Sequence, residues 1–178
     1  MFIDICNSTE IMVNGEVDHY LKLFGVLTQI VEMGFINGNC EYKKSLGDGF
    51  MVIFKEKDAA LYFSFGVLSG IKTHNVKADE TMKFDIRIGI DYGYVKTDPN
   101  LDRHGACVNR ASRIEGLKQD HFISPKVELL EKNRILVSYI MTRALKEEGK
   151  FIFQKVGDAH IKGFKGPPTC IYLLEKII

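Results

Sequence analysis

The sequence predicts an α+β fold: a ferredoxin-like split βαβ core (βαββαβ) with an additional C-terminal helix and strands. Three observations lead there. Apolar residues recur at helical spacing over two long stretches. Phe84, Ile86, Ile88 and Ile90 alternate with Lys83, Asp85, Arg87 and Gly89, as in a strand with one buried face. Gly47-Asp48-Gly49 joins two further strand-like runs as a hairpin turn.

Taken in order, Phe2 to Ile5 reads as a short apolar strand, and Asn7-Ser8-Thr9 as a polar turn of helix-capping residues. Val17, Tyr20, Leu21, Phe24, Leu27 and Val31 then mark one amphipathic helix over residues 12–33. Asn37-Gly38 signals a turn. Residues 40–46 and 50–54 read as the two arms of the hairpin. Asp58 can cap a second helix, whose buried stripe is Ala59, Phe63, Val67 and Ile71. After the alternating strand, residues 105–117 read as a third helix, 122–124 as a short strand and 125–147 as helical. The tail, residues 151–174, reads as strands separated by Gly-Pro turns. No internal repeat or linker interrupts the chain, so residues 1–178 are expected to form one domain.

Composition narrows the class. With 178 residues the chain is long enough to bury a sizeable core. Twenty-four Lys+Arg against 23 Asp+Glu give a net charge of +1, which argues for neither nucleic acid nor a membrane surface. Cys6, Cys40, Cys107 and Cys170 are scattered and form no C-x-x-C pair, which speaks against a structural zinc site. No signal-peptide pattern precedes the first strand and no apolar run approaches membrane-spanning length, so a cytoplasmic setting with free thiols is expected. Only three residues precede Asp4, which suggests a short leading strand or a piece of a larger protein carrying a covalently linked regulatory domain.

Two acids stand out. Asp4 lies within an apolar strand, where a carboxylate is unusual without a partner. Asp48 sits in the hairpin turn, where an Asp is ordinarily just a turn residue. In a split βαβ sheet the first strand and the hairpin are neighbours, so the two carboxylates can converge at one sheet end. Two hard anionic ligands suit Mg²⁺ or Mn²⁺ bound together with substrate phosphates. Two such ions can stabilise an attacking and a leaving oxygen. The backbone N–H groups of residues 6–9 could cradle phosphates.

Several stretches then resemble one family. Phe2-Ile3-Asp4-Ile5-Cys6-Asn7-Ser8-Thr9 resembles the F-x-D-I-x-G-S-T opening of class III adenylyl/guanylyl cyclases. Lys44-Ser45-Leu46-Gly47-Asp48-Gly49-Phe50 is similar to their K-x-x-G-D-G-F hairpin. Arg87-Ile88-Gly89-Ile90 with Gly93 matches the R-x-G-I-x-x-G strand, and residues 105–113 the G-x-x-V-N-x-A-S-R helix. Ile161-Lys162-Gly163 resembles a late L-K-G motif. These motifs run in the family's order over nearly the whole chain. Asn7 departs from the pattern by replacing Gly, and Asn tolerates left-handed backbone better than most residues.

The resemblance implies the class III nucleotidyl cyclase fold, two Mg²⁺ or Mn²⁺ ions per site, and roles for named residues. Asp4 and Asp48, with the Ile5 carbonyl, would hold the metals. Asn7, Ser8, Thr9 and Lys162 would contact phosphates. Asn109 would orient the ribose and Arg113 would stabilise charge at the α-phosphate. These last two are i and i+4 and share a helix face. Lys44 and Asp102 would select the base. An ammonium donates to adenine N1 and a carboxylate accepts from its N6 amine; guanine reverses this edge. The implied reaction is ATP to 3′,5′-cyclic AMP and pyrophosphate, by attack of the ribose 3′-oxygen on the α-phosphate. A cyclase for GTP, UTP or CTP, or a non-catalytic nucleotide-binding regulatory domain, stays open as the alternative.

Lys44 and Asp48 are four residues apart on one strand, roughly 13 Å at about 3.3 Å per residue. One ATP would bridge them with difficulty. In the family one chain supplies the metal ligands and its partner supplies the base, ribose and transition-state residues. This chain carries both sets, so the expectation is a head-to-tail homodimer with two shared sites.

Overall fold

The structure is a computed structural model that describes residues 1–13, 17–37, 40–143, 145–147 and 149–178. Four strands form the expected core. β1 (Phe2–Ile5) lies between β3 (Gly49–Phe54) and β4 (Ile86–Ile90), and β2 (Cys40–Ser45) closes the edge beyond β3. β7 (Arg134–Ser138), β9 (Thr169–Ile177) and β8 (Phe151–Ala159) extend the sheet past β4, giving seven strands in the order β2-β3-β1-β4-β7-β9-β8. All neighbours are antiparallel except β4 and β7. A separate small hairpin pairs β5 (Lys96–Thr97) with β6 (Arg103–His104).

The pleat of β1 sorts its side chains. Ile3 and Ile5 point into the main core, while Phe2 and Asp4 take the other face. The core face is covered by α2 (Val17–Asn37) and α3 (Lys57–Lys77). Leu23, Leu27, Leu61 and Ile71 are fully buried there against Ile3, Ile86 and Ile88. Each such side chain contributes about 1.5–3 kcal/mol. On the opposite face α4 (Ala106–Glu115) packs over β4, burying Cys107, Val108, Ala111 and Ile114. Gly89 permits this approach: a Cβ there would stand 2.3 Å from the Glu115 nitrogen and 2.4 Å from the Ala111 carbonyl oxygen.

The helix expected over residues 12–33 is helical at each of its described positions, in α1 (Ser8–Val13) and α2. Three expectations need correction. Among its described residues the segment 125–147 is not α-helical: it holds β7 and a 3₁₀ turn over Tyr139–Thr142. All five residues of β7 are buried, so neither face shows the polar alternation that marks a strand. Asp58 does not cap α3, which starts at Lys57 after Glu56. Its carboxylate instead accepts the backbone N–H groups of Lys146 (3.2 Å) and Glu147 (2.8 Å). Residues 122–124 contribute only the isolated bridge of Phe122 to Ala159. The turn expected at Asn37-Gly38 runs outside the described residues at Gly38.

Candidate active site

Asp4 and Asp48 are brought together by strand register. Asp4 pairs with Gly49 on β3 and with Arg87 on β4, so the hairpin turn ends beside it. Gly49 must be glycine for this pairing, because a Cβ would sit 1.9 Å from the Ile3 carbonyl oxygen. The turn is then fixed on three sides. The Ile5 N–H donates to the Asp48 carbonyl (3.2 Å), and the Leu46 N–H donates to the Gly49 carbonyl (3.0 Å). The Tyr20 phenol reaches from α2 and donates to the Gly47 carbonyl. The buried Ser8 hydroxyl donates to Asp48 Oδ2 at 3.3 Å. Asn7, just before it, holds the left-handed conformation at φ 60° that its side chain tolerates.

The electrostatics of this corner are strained in one direction. Burial raises the Asp4 carboxyl above its ordinary value, and the charge of Asp48 adds to this. Arg87 opposes both by donating from Nη2 to Asp4 Oδ2 at 2.8 Å. Arg87 Nε also stands 2.8 Å from Glu115 Oε1, close enough for an ion pair but not aligned as a hydrogen bond. Burial lifts the Glu115 carboxyl to about 7 despite that arginine. The Cys6 thiol is pushed up to about 11 by burial, so it is held as the thiol. Two neighbouring carboxylates, with Asp4 raised by burial and by the charge of Asp48, are a donor set whose repulsion a divalent cation would relieve. Among the described residues no group of three or more His, Cys, Asp and Glu is placed to hold a metal alone. The pair therefore suits ions whose remaining ligands come from water and phosphate oxygens.

A second constellation forms on the same sheet face, at its edge. Lys44 on β2 pairs with Asp102, 58 residues later in the approach to β6. Asp102 Oδ1 also accepts from the Tyr42 phenol (3.1 Å) and the Arg103 N–H (2.9 Å). The Lys44 ammonium, then the Arg103 N–H and Tyr42, hold the Asp102 carboxyl down to about 2. Asn109 and Arg113 lie on the exposed side of α4, opposite its buried residues. Lys162 stands exposed in the turn between β8 and β9, on a different element from either group. That turn is tied to α4 by Arg110, whose guanidinium lies 5.4 Å from the Phe164 ring centroid.

The sequence reading missed four residues at these sites. Arg87 lies within one of the family motifs, and the alternating strand puts it on the face of Asp4. Tyr42 is two residues from Lys44 on one strand, and period-two alternation alone places them on one face. Glu115 and Tyr20 carried no local signal, since each meets its partner only through helix packing.

A seven-stranded mixed sheet with a carboxylate pair at one end and an amine–carboxylate pair at its edge defines a class, and comparison bears that class out. The family model of the adenylate and guanylate cyclase catalytic domain matches residues 1–176. The chain belongs to that family, with the class III cyclase fold. Among solved structures it is similar to the guanylate cyclase domain of RhGC from Catenaria anguillulae in complex with GTP: TM-score 0.70, 22% identity, 99% of this chain and 94% of that one. It also resembles the adenylyl cyclase CyaB from P. aeruginosa, with TM-score 0.75, 22% identity and coverage of 99% and 92%. A third match is the catalytic core of a rhodopsin-guanylyl cyclase with converted specificity in complex with ATPαS, with TM-score 0.75, 23% identity and coverage of 99% and 94%. No curated protein matches the chain. Among the described residues no helix is long and apolar enough to cross a membrane.

Proposed function

We propose that this cyclase domain converts ATP to 3′,5′-cyclic AMP and pyrophosphate at two equivalent sites shared across a homodimer. The observation that carries the choice of base is the contact of Lys44 with Asp102. Together they present one donor and one acceptor, the complement of the adenine N1 and N6 edge and the mismatch of guanine. Matches to both a GTP-bound guanylate cyclase and an ATPαS-bound core leave the base to be read from these residues rather than from the fold.

Asp4 and Asp48, with the Ile5 carbonyl, would hold two Mg²⁺ or Mn²⁺ ions. When bound, these supply Lewis acidity at the 3′-hydroxyl and neutralise phosphate charge. The residues Asn7, Ser8 and Thr9 bind the terminal phosphates, assisted by Lys162. Asn109 orients the ribose, and Arg113 faces the charge that grows on the α-phosphate. The new bond joins the 3′-oxygen to the α-phosphorus, the bond from that phosphorus to pyrophosphate breaks, and the hydroxyl proton leaves to water or a phosphate oxygen.

Two chains are supported by layout. The carboxylate corner is at the β1–β3 end of the sheet face, whereas Lys44 and Asp102 sit out on the edge strand and its neighbouring hairpin. A head-to-tail pairing of two copies sets the corner of one against the edge and α4 of the other. The four free cysteines are consistent with a reducing, cytoplasmic setting.

The deciding measurement is product analysis by mass spectrometry, with Mn²⁺ and each of ATP, GTP, UTP and CTP in turn. Cyclic AMP as the main product is expected. Another cyclic nucleotide would transfer the assignment to that substrate. No product at high protein concentration would make the domain a non-catalytic nucleotide-binding module.

A further inference from the structure

We propose that Tyr42 is a specificity-determining positioning residue that fixes the Asp102 carboxylate for the base while Lys44 is left to move. The proposal rests on the base-site reading above and deepens it. Asp102 is anchored from several sides. Its backbone N–H donates to Asp98 Oδ1 at 2.9 Å. Its Oδ1 is occupied by the Tyr42 phenol and the Arg103 N–H. Only Oδ2 is turned to Lys44.

Tyr42 is itself held. Its ring packs with Met51, Cys107, Val108 and Ile53 in a small apolar cluster. The Arg103 guanidinium covers it, 4.5 Å from the ring centroid, a cation–π contact. Lys44 is the opposite case: its side chain is 42% exposed on a flexible four-carbon stem. A base entering this edge must part Lys44 from Oδ2. Because the phenol keeps Oδ1 engaged, the carboxylate does not turn when that happens, and Oδ2 is left as a directed acceptor. An amine at the purine 6-position satisfies it. A carbonyl there meets an acceptor that cannot rotate away, and the polar atoms stay unpaired. Tyr42 thus acts on the base only through Asp102.

The test compares wild type, Tyr42→Phe, and the double variant Lys44→Glu/Asp102→Cys. For each, kcat and KM are measured with ATP and with GTP under Mn²⁺, alongside the thermal midpoint. Tyr42→Phe is expected to lower the ATP:GTP ratio of kcat/KM by about tenfold, mainly through KM for ATP, with little change in midpoint. A merely structural role would lower both substrates alike and leave the ratio where it was. An unchanged ratio in Tyr42→Phe beside a shifted ratio in the double variant overturns the role of Tyr42 and keeps the base site. An unchanged ratio in both overturns the base site, and the proposal with it.

Discussion

The carboxylate corner and the Lys44–Asp102 edge are built on opposite principles. Asp4 and Asp48 are set by backbone: strand register, a hairpin turn and a glycine that admits close approach. Lys44 and Asp102 are set by side chains, through a phenol, an ammonium and a short flanking hairpin. The first is rooted between central strands over a fully buried core. The second hangs on an edge strand. A site that must keep two like charges together needs a rigid frame, because repulsion works against it. The edge that we propose admits and then grips a base can leave one partner free to move.

Asp48→Ala breaks the rigid half and carries the largest expected effect. Cyclase turnover should fall by more than about a thousandfold, because the hairpin's half of the proposed metal-holding pair is lost. Circular dichroism should still report a folded chain. Retained activity would remove Asp48 from metal binding.

Mixing tests whether the two halves belong to different chains. Asp48→Ala and Arg113→Ala should each be inactive alone. In an equal mixture half the dimers are heterodimers, each with one intact site, so turnover should return to about a quarter of wild type. Absence of rescue in an assay of the re-equilibrated mixture would place both halves in one chain.

Lys44→Glu with Asp102→Cys removes the complementarity of the mobile half and leaves the rigid one alone. The preference for ATP over GTP should drop by about a hundredfold or more, while the concentration of Mn²⁺ giving half-maximal activity stays put. A shift in the metal requirement instead would tie the two regions together.

The smallest effect concerns the buried charge behind the corner. Burial raises the folded Glu115 carboxyl from its ordinary 4.5 to about 7. A raised carboxyl favours the folded state below the unfolded value, and that contribution is lost as pH rises through the folded one. Stability of the chain without added metal should therefore decline between pH 4.5 and about 7, by up to about 3 kcal/mol. Glu115→Gln should flatten that decline in urea titrations; an unaltered slope would assign it to another group.

Much of the rigid half was legible in the sequence. Asp4 and Asp48 announced themselves by residue type against local context, an acid in an apolar strand and an acid in a Gly-Asp-Gly turn. Neighbouring strands in a split βαβ core then had to bring them together. Asn7 was legible too, as one of the few residues at ease at positive φ. The mobile half was less so. Lys44 and Asp102 came only from resemblance to a family. Tyr42 is not legible there, because a strand tyrosine has no local signature of the carboxylate it will meet. β7 escapes the sequence for a related reason. A strand buried on both faces loses the alternation that identifies it, and a short apolar run fits helix and strand equally.

The sequence by itself determined whatever depends on residues close along the chain: the hairpin and its turn, the alternating strand, the α4 face with Asn109 and Arg113 one turn apart, and the ordered motifs that mark the family. These follow from the fixed periods of helix and strand and from the few backbone shapes that Gly, Asn and Asp favour. Only the tertiary structure decided that Arg87 would hold Asp4, that Tyr20 would reach the hairpin turn from α2, and that Tyr42 would grip Asp102 across 60 positions of sequence. Those pairings depend on which elements the core packs side by side, and periodicity along one segment carries no information about that.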